Sequence, residues 1–112
     1  MAPTTMINQK TATSLRGRRI ERDGFPLKIS EMLSILPGVK YIERTSIHNR
    51  DNIRKTKEAI KKAFNIQIES KGFSMVEVIS ACPVYGAKSI KDAYKKIEEE
   101  IIKFYPLGVL KE

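Results

Sequence analysis

The stretch Phe73-Ser74-Met75-Val76-Glu77-Val78-Ile79-Ser80-Ala81 carries apolar residues on both of its alternating faces. A strand of that kind belongs in a parallel sheet, because crossover helices cover such a sheet on both sides. Cys82-Pro83 comes next. Proline has no N–H to give to a strand ladder, so the strand stops there and Cys82 lies at its carboxyl end. Glu77 interrupts the apolar run. An unpaired buried carboxylate is costly, so Glu77 is read as structural and in need of a cationic or hydrogen-bonding partner.

On the amino-terminal side, Asn49 or Asp51 can cap a long helix reaching about Ile68, with Ile53, Ile60, Phe64 and Ile68 at steps of seven, four and four. Val39 to Ile47 precedes it, rich in strand-favouring residues and bounded by Pro37-Gly38 and His48-Asn49. Ser30 is expected to cap a short helix with Glu31 in its first turn. Met32, Leu33, Ile35 and Leu36 supply its apolar side, and Pro37-Gly38 stops it. On the carboxyl side, Ser89 with Asp92 opens a helix whose stripe is Ile90, Ala93, Tyr94, Ile97, Ile101, Phe104 and Tyr105. Pro106-Leu107-Gly108 ends it.

Residues 1–28 show no period and read as an extended arm; residues 29–112 form an α/β unit. Strand, helix, strand implies a right-handed parallel crossover, so the fold class is α/β, a partial parallel sheet with flanking helices. One difficulty is informative. A strand apolar on both faces needs neighbours on both edges, and the chain offers one other convincing strand. The unit resembles the last third of a larger sheet, its missing strands supplied by another chain, an oligomer partner or an absent segment.

At 112 residues, 41% hydrophobic and 30% charged, the chain is one globular domain or a piece of one, not a disordered tail or a collagen. No apolar run approaches the ~20 residues of a membrane span, and Met1-Ala2-Pro3-Thr4-Thr5 opens no secretory signal, so a cytoplasmic location is expected. The formal charge of +8 sits in two places. Lys10 to Lys28 holds six basic residues against Glu21 and Asp23, Arg50 to Lys62 holds six against Asp51 and Glu58, and the remainder is balanced. A small basic RNA- or DNA-binding module needs aromatic residues among its charges, and these stretches offer only Phe25 and, just beyond the second, Phe64 on the apolar stripe, so no nucleic-acid partner is expected. Arg16-Gly17-Arg18-Arg19 can contact phosphate, or can be a solvated or subunit-contacting arm.

No glycine-rich phosphate loop, Walker lysine, HExxH pair or nucleophile elbow is present, and no catalytic residue is assigned. His48 ends the first strand, where catalytic groups of open α/β sheets gather, although a loop histidine is commonly structural. Cys82 is the single candidate metal ligand, because thiolate suits iron or zinc; the alternative is a buried free thiol. As the chain's one cysteine it makes no internal disulfide or metal pair.

Gly72 to Pro83 closely resembles the "GFSxVEVLSxCPT" strand of the thiamine-diphosphate-binding β subunit of 2-oxoacid:ferredoxin oxidoreductases. Four further matches follow the family's order. Met1 to Thr5 is similar to the segment after its "MTGGQ" turn and Gln9 to Ser14 to that segment's Thr-rich continuation, Gly24 to Leu33 to "GYPIRVSEML", Tyr41 to His48 to "YVERVSVH", and Tyr105 to Val109 to "YPLGV". The branched-chain (2-oxoisovalerate) and 2-oxoglutarate types are the most similar. Two stretches depart from the pattern: Cys82-Pro83-Val84-Tyr85-Gly86 stands where relatives read "CPTNWG", and Leu15-Arg16-Gly17-Arg18 where they read "PYGR".

The resemblance implies oxidative decarboxylation of a 2-oxoacid to acyl-CoA with electrons passed to ferredoxin. It further implies thiamine diphosphate and Mg²⁺ held by an upstream "GDGD…N" stretch, and a [4Fe-4S] cluster whose late cysteine corresponds to Cys82. The cofactor stretch and the other cysteines lie outside this sequence, so the chain resembles the carboxy-terminal part of a β subunit. By itself it is expected to be inert and cofactor-free. Its expected partners are the rest of that subunit, the α and γ/δ subunits and ferredoxin, with no membrane; a homo-oligomer completing the sheet is the alternative for the isolated chain.

Overall fold

The computed structural model describes residues 1–84 and 87–112. Its elements in order are α1 (Ile20–Asp23), α2 (Ile29–Ser34), β1 (Val39–Ser46), α3 (Arg50–Ile68), β2 (Phe73–Ile79), α4 (Ile90–Lys96), a π-helical turn (Ile97–Ile101), α5 (Ile102–Phe104) and β3 (Gly108–Lys111). The sheet order is β2-β1-β3. β1 and β2 run parallel from Val39↔Phe73 to Ser46↔Ile79, with α3 as the crossover. This is the α/β arrangement expected. β3 is an addition: it pairs antiparallel to Ile42, Glu43 and Arg44, making the sheet mixed.

β1 is the spine. Val39, Tyr41, Ile42, Arg44, Thr45 and Ser46 are all buried. β2 has β1 on one edge and, among the described residues, no strand on the other. Phe73 and Val78, on opposite faces, are exposed, and the central, doubly covered strand expected from the sequence is an edge strand among the described residues. Gly72 starts it at φ 133°, where a Cβ would lie 2.6 Å from the Gly38 carbonyl oxygen. That close approach lets Phe73 N–H bond the same oxygen at 3.0 Å.

α3 begins as expected, with Asn49 Oδ1 accepting from Asn52 N–H at 2.8 Å. Its buried side is a surprise. Thr56 and Ala59 face inward, the Thr56 hydroxyl lying 2.9 Å from the Ser46 carbonyl, while Ile53, Ile60, Phe64 and Ile68 stay exposed, Phe64 by 65% and Ile68 by 78%. Small residues bring the helix close to the sheet, and the larger apolar residues overhang the β2 edge. Ser30 is likewise not a cap. It lies inside α2, fully buried, and donates to Glu77 Oε2, while Lys28 takes the N-cap position without a side-chain bond.

Ser89 does cap α4, accepting from Asp92 N–H at 3.1 Å. The last helix then widens into the π turn, where Ile102 N–H bonds the Ile97 carbonyl five residues back. Eight α-helical steps would leave Tyr105 about 80° away from Ile97; the wider turn removes most of that angle. Ile97 and Tyr105 are accordingly both buried.

The elements meet at Arg44, whose side chain is fully buried. Its Nη1 and Nη2 donate to Glu31 Oε1 and Oε2 at 2.8 and 2.5 Å, its Nε to Glu77 Oε2 at 2.8 Å, and Nη1 also to the Pro106 carbonyl at 3.2 Å. The guanidinium lies 5.2 Å from the centre of the Tyr105 ring. The partner that Glu77 requires is therefore Arg44, together with Ser30. The hydrogen bonds from Arg44 hold the Glu31 carboxyl below its ordinary value against the opposing effect of burial. A carboxylate with a lowered folded pKa stabilises above its unfolded value, here 4.5, and that stabilisation is lost as pH falls through the folded value.

Arg44→Met leaves two carboxylates without their cation. The expected loss in urea unfolding at neutral pH is about 3 kcal/mol, the low end for a broken buried pair because both carboxylates keep some contact with water. The acid response should also change sign. Without its Arg44 bonds, Glu31 is left with the raising effect of burial, so the variant gains stability as pH falls towards 4.5, whereas the wild type loses stability as pH falls below 4.5; parallel pH profiles would contradict this assignment.

Candidate functional site

Open α/β sheets place their sites beyond the carboxyl ends of the parallel strands. Here that position holds a cleft of about 370 Å³. Ser80, Ala81 and Cys82 form its floor, Ala93, Ile97 and Glu100 come from the last helix, and Met6 to Lys10 form the opposite wall. The π turn contributes directly, since both Ile97 and Glu100 belong to it. The cleft thus combines an apolar body with a polar mouth, the usual arrangement of a small-molecule or cofactor site.

The far wall has no regular structure of its own and is held by residues distant in sequence. Asn8 takes a left-handed conformation, φ 64°, and its N–H bonds the Arg18 carbonyl at 2.9 Å. Gly17 packs against it at φ 76°, where a Cβ would lie 2.8 Å from the Asn8 carbonyl carbon and oxygen. Arg18 is 4% exposed, and its guanidinium collects four carbonyls: Ala2 and Pro3 through Nη2, Asp23 and Gly24 through Nη1, at 2.8 to 3.2 Å. The Tyr105 hydroxyl donates to the Thr4 carbonyl at 2.9 Å and so ties the same segment to the last helix.

These contacts correct one sequence reading. Within Arg16-Gly17-Arg18-Arg19, Arg18 is an internal clamp, buried, with both Nη atoms given to main-chain carbonyls and its Nε buried without a partner; Arg16 and Arg19 remain exposed. Arg22 is engaged as well, pairing with Asp23 at 2.7 Å. The Asp23 carboxyl is lowered to about 2, chiefly by its bond from Arg22.

Cys82 is exposed rather than buried and lies in the cleft lining. Among the described residues no group of three or more His, Cys, Asp or Glu side chains is placed to hold a metal ion. His48 is not part of the cleft lining. Its ring bridges the turn after β1, with Nδ1 2.7 Å from Ser46 Oγ and Nε2 3.2 Å from Asn49 Nδ2. With the Asn49 amide donating to Nε2, the Nδ1 proton goes to Ser46, a local role at the start of α3. The departure at Tyr85-Gly86 lies outside the described residues. The wall residues Met6 to Lys10 and the cleft-facing Glu100 carried no pattern that identifies them in the sequence; Gly17, in a basic run, was the one available signal.

No protein-family model matches the chain. No solved structure matches it either. Two curated proteins do. Over 107 residues, 96% of this chain, it is 38% identical to the ketoisovalerate oxidoreductase subunit VorA of Methanothermobacter marburgensis and 37% identical to the subunit of that name from Methanothermobacter thermautotrophicus. The chain spans 22% of the length of each of these relatives.

Gly17→Ala should release the far wall. Strained φ and the clash with Asn8 together are expected to cost more than about 1 kcal/mol, a fall in Tm of roughly 4–8 °C. Hydrogen exchange at Met6 to Lys10 should rise while β1 stays protected; unchanged exchange in that segment would show that Gly17 does not position it.

Proposed function

We propose that the chain is part of a subunit of a cytoplasmic 2-oxoacid:ferredoxin oxidoreductase, within a β-type subunit that holds thiamine diphosphate and Mg²⁺ elsewhere. The observation that carries this reading is the identity of 37–38% to ketoisovalerate oxidoreductase subunits over nearly the whole chain. Ketoisovalerate is itself a branched 2-oxoacid. In the complete reaction, 2-oxoacid, coenzyme A and two oxidised ferredoxins give acyl-CoA, CO₂, two reduced ferredoxins and a proton. Thiamine diphosphate, when bound, supplies the electron sink for loss of CO₂.

This chain's share is sheet, packing surface and one thiolate. Cys82 is exposed at the carboxyl end of β2, so it can reach a metal. The sequence holds no second cysteine, and three ligands of any [4Fe-4S] cluster must come from outside it. In this reading Mg²⁺ and thiamine diphosphate belong to the remainder of the subunit, because the "GDGD…N" stretch that holds them in the family lies outside this sequence. The isolated chain is inert in this reading.

The test is affinity purification of the tagged chain from its native cells, with mass spectrometry of retained proteins and assays for iron and thiamine diphosphate. The proposal expects polypeptides bearing the other cysteines, bound thiamine diphosphate, and iron that falls by about a quarter to all of its content in Cys82→Ser, according to whether the cluster survives loss of one of four ligands. Recovery of the chain alone, or as a cofactor-free homo-oligomer, would overturn it. Iron unchanged in Cys82→Ser would remove Cys82 from the cluster.

A further inference from the structure

We draw no further inference here: the strongest candidate, the cleft at the carboxyl end of β2 where Lys10, Lys96 and Glu100 stand around the exposed Cys82, belongs to the site already described, and nothing in the structure shows what it holds.

Discussion

One buried guanidinium sets the terms for this structure. Arg44 sits on β1, the strand with neighbours on both edges, and reaches α2 through Glu31, β2 through Glu77, the end of the last helix through Pro106 and the Tyr105 ring face. Removing an arginine from water is costly, and the cost is met only if every carboxylate and carbonyl stands in place at once. That requirement makes the network cooperative. Burial lowers the tendency of Arg44 to stay charged, and its bonds to Glu31 and Glu77 outweigh this. Tyr105 extends the constraint to the arm through Thr4, and Arg18 repeats the device there with four carbonyls. Two arginines therefore organise segments that have little apolar surface to bury.

Away from that network the structure is open. Its radius of gyration, 15.3 Å, exceeds the about 13 Å of a compact domain of this length. The excess is not spread evenly. The α3 stripe and β2 are left uncovered, along with Ile35 at 82% exposure, while β1 is closed. The same geometry puts the cleft at the carboxyl end of β2, between a helix widened by the π turn and an arm fixed by Gly17 and Arg18.

The parts of this fold legible in the sequence were those set by local chemistry. Asn49 and Ser89 cap their helices because each has a short acceptor side chain three residues before a free N–H. The strand from Phe73 and the crossover through α3 follow from period and punctuation. Glu77 announced its need of a partner, but not which one, since nothing local marks Arg44 as buried among twenty other basic residues. β3 escaped notice because four residues after Pro106-Leu107 carry too little pattern, and its pairing is with a strand more than sixty residues away. The inward side of α3 is not legible in the sequence for a tertiary reason: the sheet selects Thr56 and Ala59 for closeness, and the larger apolar residues stay exposed. Arg18 could not be told from Arg16 or Arg19, because its burial depends on carbonyls that only the folded arm brings together.

The central claim is that β1 and its buried arginine form the last part of the molecule to open, while β2 is held on one side alone. Residue-resolved native-state hydrogen exchange on the full chain measures this directly. The account predicts the slowest exchange at Tyr41 to Ser46, opening in one step with Tyr105, and faster exchange at the outward amides of Phe73 to Ile79. Protection greatest in α3, with β1 no slower than β2, would contradict it.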